Sequence, residues 1–136
     1  MITDPLPPVY VTYDTRRQVW VLMFEYVVTL ELQDDMPIEF SIPQNFEFDL
    51  ASIPRWIWPL IGSFELSLVA PLIHDYLYQF RGEPVHHRHA FHTYFKPALT
   101  RAEADQIFLN LMLAEKVTPW KAKAAYRAVR LFATRW

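Results

Sequence analysis

The hydrophobic pattern of the chain changes its period once, near Pro54, and this change limits the fold more than any other feature of the sequence. Before it, apolar and polar residues alternate, as in residues 28–32 and 38–42, which is typical of strands with one buried face. After it, apolar residues recur every three or four positions, as in amphipathic helices. The sequence therefore predicts an α+β fold with a β-rich part over residues 1–53 and a helical part over 54–136.

The β-rich part is predicted to be an antiparallel meander. Residues 9–13 are β-branched and aromatic, and residues 18–32 supply one or two strands. A turn signal, Asp34-Asp35-Met36-Pro37, leads into the next alternating segment, and residues 46–48 resume the alternation briefly.

Three helices are predicted to follow. The first runs from Leu66 to Phe80, with its regular part starting near Pro71, because proline is favoured in a first turn. The second follows the capping box Thr100-Arg101-Ala102-Glu103 and continues to about residue 116. The third starts at Thr118-Pro119 and continues to about residue 134. The predicted buried faces are Ala104, Ile107, Phe108, Leu111 and Met112 in the second helix, and Ala122, Ala125, Tyr126, Val129 and Phe132 in the third.

Composition excludes several classes of function. A chain of 136 residues that is 52% hydrophobic and 21% charged suits one domain with a buried core. The sequence has no Cys, which excludes disulfide scaffolds, thiol nucleophiles and cysteine-based zinc sites. With two Gly it has neither glycine-rich nucleotide motif, and a net charge of −2 argues against a nucleic-acid partner.

The charge is distributed unevenly along the chain. Residues 101–136 contain seven Lys and Arg against three Asp and Glu, although the whole chain is slightly acidic. These cations either form the solvated surface of helices, or make a basic face that meets phosphate head groups or an acidic partner. No apolar run is as long as a membrane span, and residues 1–8 lack the features of a secretory signal, so no signal peptide is expected.

The densest chemical signal is the segment His74-Asp75-Tyr76-Leu77-Tyr78. His74 and Tyr78 are four residues apart and share a helix face, whereas Asp75 points about 100° away. Asp105 borders the apolar face of the next helix, where a carboxylate is expensive to bury unless it is paired, and His74 is a natural partner. Such a pair fixes the imidazole tautomer and leaves the second nitrogen as a base. Alternatively, His74 is a structural buried histidine and Asp105 a first-turn acid that the helix dipole stabilises.

Two other segments contain candidate metal ligands. Asp49 precedes a predicted helix, where it either ligates a hard cation together with nearby carbonyl groups or forms an Asx turn. The polar connection 81–99 contains four His within seven residues, which is enough to hold a transition metal. Nothing in the sequence fixes the geometry of these four, so we interpret them as part of a solvated loop. They are His86, His87, His89 and His92.

A longer pattern of residues extends over positions 38 to 134. It consists of Ile42, Pro43, Asp49, Ala51, Ser52, Pro54, Arg55, Ala70, His74, Asp75, Tyr76, Tyr78, Arg101, Ala104, Asp105 and Phe108. In this pattern the chain resembles a phage and bacterial family, the domain of unknown function 1353, although Leu50 stands where that family usually has Gly. The resemblance implies a phage or prophage origin and a location in the host cytoplasm or the phage virion.

The helical part contains a second ordered pattern, which begins with His-Asp-x-x-Tyr, continues with Asp-x-x-Phe-x-x-x-Met and ends in the last helix. Its residues are His74, Asp75, Tyr78, Asp105, Phe108, Met112, Ala122 or Ala124, Tyr126, Ala128, Val129 and Phe132. In this pattern the helical part is similar to the helical core of bacterial secreted phospholipase A2.

This second resemblance implies a catalytic site with bound calcium. His74 would be the general base for water, Asp105 would orient it, and Tyr78 would belong to the same catalytic group. Asp75 would ligate calcium, together with the loop segment Asp49-Leu50, which stands where the calcium loop of that family would be.

Two classes of function follow from these observations. One is a calcium-dependent phospholipase-like esterase whose aromatic and basic surfaces meet a phospholipid membrane. The other is a non-catalytic phage protein that uses the same core as a scaffold, either in the virion or in binding host proteins, with its aromatic residues at interfaces. A metal-dependent phosphohydrolase is rejected, because one His-Asp dipeptide supplies too few ligands.

Overall fold

The computed structural model describes residues 6–31, 37–49, 56, 69–82, 87–89 and 99–133. These residues belong to two compact units. The first, here called the β unit, contains the described residues up to Asp49 together with residues 87–89, and the second, the helical unit, contains the rest. The prediction of antiparallel strands followed by three helices, and so of an α+β fold, is confirmed for the described residues. The single-domain prediction stays a prediction.

The described strands of the β unit form two antiparallel sheets. The strand order is β1-β2-β5 in one sheet and β3-β4-β6 in the other, so the consecutive strands β2 and β3 lie in different sheets. The pairing therefore departs from a single continuous meander. The strands are β1 (Val11–Asp14), β2 (Val19–Leu22), β3 (Tyr26–Glu31), β4 (Pro37–Ile42), β5 (Glu47–Phe48) and β6 (His87–His89).

Strand β3 shows the predicted alternation of buried and exposed side chains. Val28 and Leu30 are at most 2% exposed, whereas Val27 between Tyr26 and Val28 is 42% exposed. Val28 lies opposite Phe40 of β4, which is fully buried. One face of this strand pair therefore supplies the apolar core of its sheet.

Residues 87–89 of the histidine-rich segment form strand β6, so the interpretation of these three residues as part of a loop is wrong. The backbone of residues 87–89 pairs with β4, with His87 opposite Phe40 and His89 opposite Ile38. A three-residue strand of His, Arg and His has no apolar alternation to reveal it. Its pairing instead satisfies backbone groups of β4 that would otherwise form a sheet edge. His86 and His92 lie outside the described residues.

The helical unit contains α1 (Val69–Gln79), α2 (Arg101–Ala114) and α3 (Pro119–Phe132). Residues 69–77 of α1 are all buried, so α1 is an interior helix. The predicted capping box of α2 is present, because Thr100 Oγ1 accepts the Glu103 N–H and the Glu103 carboxylate accepts the Thr100 N–H, each at 3.1 Å. None of the described helices is long and apolar enough to cross a membrane.

The predicted buried face of α2 is confirmed, and that of α3 is partly wrong. Ala122, Ala125 and Val129 are buried, as expected, whereas Tyr126 is only half-buried. Phe132, however, is 58% exposed, and its ring meets Trp56 edge to face with 5.6 Å between centroids. Phe132 is the last residue of α3, where helical spacing no longer dictates contact with the core.

The chain leaves the helical unit after Gly82 and returns to it at Leu99, and these two residues are hydrogen-bonded to each other. Gly82 has a φ of 71°, which glycine adopts without a steric cost, and its N–H donates to the Leu77 carbonyl at 2.9 Å. The Gly82 carbonyl accepts the Leu99 N–H, also at 2.9 Å. The end of α1 is thereby tied to the segment that starts α2, and these two helices position the candidate site.

Candidate functional site

Asp105 is a buried carboxylate that accepts hydrogen bonds from three side chains. It lies in the first part of α2, and its side chain is 1% exposed. Its Oδ1 accepts from His74 Nε2 and from the Tyr78 hydroxyl, each at 2.7 Å, and its Oδ2 accepts from Arg130 Nη1 at 2.8 Å. Both oxygens therefore have charged or polar donors, which is the condition for burying a carboxylate at low cost.

Helical spacing explains how these groups meet. His74 and Tyr78 are one turn apart on α1, and their ring centroids are 4.3 Å apart. Phe108 follows Asp105 by three residues on α2, and its ring centroid is 4.8 Å from that of His74. The imidazole is therefore packed against two rings while its Nε2 points at Asp105, which restricts its rotation.

The contact with Asp105 assigns the tautomer of His74. An ionised carboxylate only accepts hydrogen bonds, so Nε2 is the ring nitrogen that carries the proton. In the neutral imidazole, Nδ1 is then the basic nitrogen. This is the arrangement in which a carboxylate orients a histidine for proton transfer at its other nitrogen.

The electrostatics of the site keep Asp105 charged. Burial by itself raises the pKa of this carboxyl, but the hydrogen bonds from His74, Tyr78 and Arg130 outweigh burial, and the pKa lies below its usual value. Burial raises the pKa of the Tyr78 hydroxyl well above its usual value, and the hydrogen bond to Asp105 raises it further. The hydrogen bond to Asp105 raises the pKa of Arg130. At neutral pH the cluster thus contains an ionised Asp105, a protonated Tyr78 and a charged Arg130.

The lowered pKa of Asp105 predicts a loss of stability in acid. Because this pKa is lower in the folded protein than the ordinary 3.8, the ionised carboxylate stabilises the fold above about pH 4, and this contribution is lost as the pH falls through the folded-state pKa. We expect the difference in unfolding free energy between the wild type and Asp105→Asn to shrink on acidification, as measured by urea unfolding at several pH values. A difference that stays constant down to about pH 3 would contradict this.

Of the three predicted metal ligands, two lie among the described residues. Asp75 is buried on α1, with 4% of its surface exposed, whereas Asp49 belongs to the β unit and Leu50 lies outside the described residues. In the part of the chain that the structure describes, no group of three or more His, Cys, Asp or Glu side chains is arranged to hold a metal ion. Among the described residues, Asp75 is thus the predicted calcium ligand that lies on the same helix as His74.

Arg130 is the member of the cluster that the sequence analysis missed. Its side chain is 34% exposed, so its guanidinium reaches the buried carboxylate from the surface of α3. At the end of the same helix, the Ala133 carbonyl accepts from Arg101 Nη1 at 3.2 Å and lies 3.4 Å from the Tyr78 hydroxyl. The one available signal was the position of Arg130 next to Val129, at the border of the buried face of α3.

Comparisons with known proteins identify a matching family and a relative in Sinorhizobium fredii. The profile of a family described as a protein of unknown function (DUF1353) matches residues 20–129. The uncharacterized protein y4jT of Sinorhizobium fredii (strain NBRC 101917 / NGR234) is 30% identical over 116 residues. The matched part covers 84% of this chain and 30% of the relative, so the chain spans less than a third of that protein's length. No solved structure matches the chain significantly.

Proposed function

The chain belongs to this family of proteins of unknown function, and we propose that its helical unit contains a hydrolytic site for phospholipid esters. The observation that carries the proposal is the 2.7 Å contact between His74 Nε2 and Asp105 Oδ1, with Tyr78 on the same oxygen. This contact supports the proposal, because the resemblance to bacterial phospholipase A2 implies a carboxylate that orients the base. The resemblance itself remains part of the proposal.

In the proposed reaction, Nδ1 of His74 takes a proton from water as the water oxygen attacks the ester carbonyl carbon. The imidazolium that forms is stabilised by Asp105, whose charge Arg130 and Tyr78 maintain. Collapse of the tetrahedral intermediate breaks the bond to the alcohol oxygen, and the imidazolium returns the proton to that oxygen. His74 is thus the catalytic residue, and Asp105, Tyr78 and Arg130 are positioning residues.

Calcium is part of the proposal through Asp75. When bound, a calcium ion polarises the ester carbonyl and stabilises the negative charge on its oxygen. Asp75 follows His74 directly on the buried helix α1, so its carboxylate is close in the chain to the proposed base. We propose Asp75 as a ligand. The assignment of Asp49 and Leu50 as further ligands rests on the resemblance to phospholipase A2 alone.

Burial favours a second candidate function, that of a scaffold in a phage virion or in binding a host protein. The side chains of His74 and Asp105 are at most 1% exposed, and both carboxylate oxygens have donors within the protein. A buried carboxylate that accepts hydrogen bonds at both oxygens also serves to fix the packing of three helices without any chemistry.

An assay of lipid hydrolysis separates the two candidates. The esterase proposal predicts that the purified protein releases fatty acid from mixed phospholipid vesicles in millimolar calcium, and that a chelator stops the release. Asp75→Asn should then require more calcium for the same rate, with activity partly recovered when calcium is raised, because a ligand is weakened and the base is retained. Glu115→Gln, which alters an acid at the end of α2, is the control and should keep the wild-type calcium dependence.

Absence of both calcium binding and fatty acid release in the folded wild type would contradict the esterase proposal. Capture of a specific virion or host protein by this inactive protein would then support the scaffold. If fatty acid release continued unchanged in chelator, the protein would still be a hydrolase, but calcium would have no part in the reaction.

A further inference from the structure

The outward side of α3 has a surface that neither the fold nor the proposed reaction uses. Trp120, Lys123, Arg127 and Leu131 follow one another at helical spacing and are all exposed, and these four residues are here called the α3 outer face. The opposite side of the same helix contains the buried residues Ala122, Ala125 and Val129. The α3 outer face therefore points away from the core of the helical unit.

Apolar side chains lie at both ends of the α3 outer face. Trp120 in the first turn is 59% exposed, and Leu131 in the last turn is 68% exposed. Next to Leu131, Phe132 meets Trp56 edge to face, although these rings are 58% and 61% exposed. Large apolar groups that stay this exposed in one region commonly mark a surface that binds something.

The charge of α3 has a single sign. Four of its residues are Lys or Arg, and none is Asp or Glu. Arg130 is used by Asp105, whereas Lys123 and Arg127 form no ion pair with another described residue. These two cations lie between Trp120 and Leu131, so the α3 outer face offers positive charge flanked by apolar groups.

We infer that the α3 outer face, extended by Trp56 and Phe132, binds the surface of an anionic phospholipid membrane. Trp side chains with exposed rings favour the boundary between lipid head groups and acyl chains, and Lys and Arg beside them meet the head-group phosphates. The apolar groups are spread along about 17 Å of helix between Trp120 and Leu131 and are interleaved with cations, which suits a laterally extended anionic surface. The inference concerns binding alone and does not require hydrolysis.

Sedimentation with vesicles tests the inference, with chelator present so that calcium-dependent hydrolysis is suppressed. The wild type should bind vesicles that contain phosphatidylserine and bind pure phosphatidylcholine vesicles much less, and added salt should weaken the binding. Arg127→Gln should weaken binding to anionic vesicles about fivefold. The double variant Lys123→Gln with Arg127→Gln should weaken it about thirtyfold, because each cation contributes a similar amount to the free energy of binding and the two factors multiply. Trp120→Ala should weaken binding to both kinds of vesicle.

Matched controls lie in the β unit. Arg16→Gln removes one exposed cation, and Phe24→Ala removes an aromatic ring that is 59% exposed, the same fraction as Trp120. Both controls should bind like the wild type. Equal loss in Arg16→Gln and Arg127→Gln would overturn the inference, as would equal binding to neutral and anionic vesicles. Self-association that Arg127→Gln abolishes, without vesicle binding by the wild type, would assign the α3 outer face to a second copy of the chain instead.

Discussion

Replacing Asp105 with alanine is expected to lower the free energy of unfolding by about 3–5 kcal/mol. The carboxylate is the common acceptor for His74, Tyr78 and Arg130. Its removal leaves the buried imidazole N–H and the tyrosine hydroxyl without this acceptor, and each unsatisfied group costs about 1–3 kcal/mol. Arg130 contributes less to the loss, because its partly exposed guanidinium is able to turn to water. Urea unfolding followed by circular dichroism measures the change.

Asp105→Asn separates charge from shape in the same cluster. Donors approach both oxygens, so one donor must face the new amide NH2 group. We therefore expect a loss of about 1–3 kcal/mol. Glu115→Ala, a surface change at the end of the same helix, should stay within about 0.5 kcal/mol of the wild type. Equal stability of Asp105→Ala and the wild type would show that the cluster contributes nothing to the fold.

The pairing of His74 with Asp105 was predictable because the sequence contains a physical conflict that only a partner resolves. A carboxylate at the edge of an apolar helix face requires a donor, and the residues that form that face, from Ala104 to Met112, are easy to identify. Arg130 was not predictable, because an arginine at the border of a helix face ordinarily stays in water. Its partner is 25 residues away in the chain, and no periodic pattern links the two.

In the two sheets, too, the sequence pattern predicted local features but not contacts between distant residues. Alternation located β3, since Val28 and Leu30 are buried and Val27 is exposed. It did not locate β6, because the backbone of residues 87–89 supplies the pairing to β4 and the amino-acid types leave no pattern. Local periodicity thus predicts which residues face a core, whereas strand order depends on distant backbone groups that the pattern does not describe.

Replacing His74 has the largest effect that the proposed function predicts. His74→Ala removes the base, but it also empties a fully buried position between the rings of Tyr78 and Phe108, so unfolding would obscure the result. His74→Gln is the better variant, because its amide is able to donate to Asp105 yet is unable to accept a proton from water. We expect its rate of fatty acid release to fall about 10²–10⁴-fold at near wild-type stability.

Tyr78→Phe retains the base and should lose less activity, mainly through poorer orientation of Asp105. Wild-type turnover in folded His74→Gln would show that His74 is not the base, and the cluster would then be a structural device that fixes three helices.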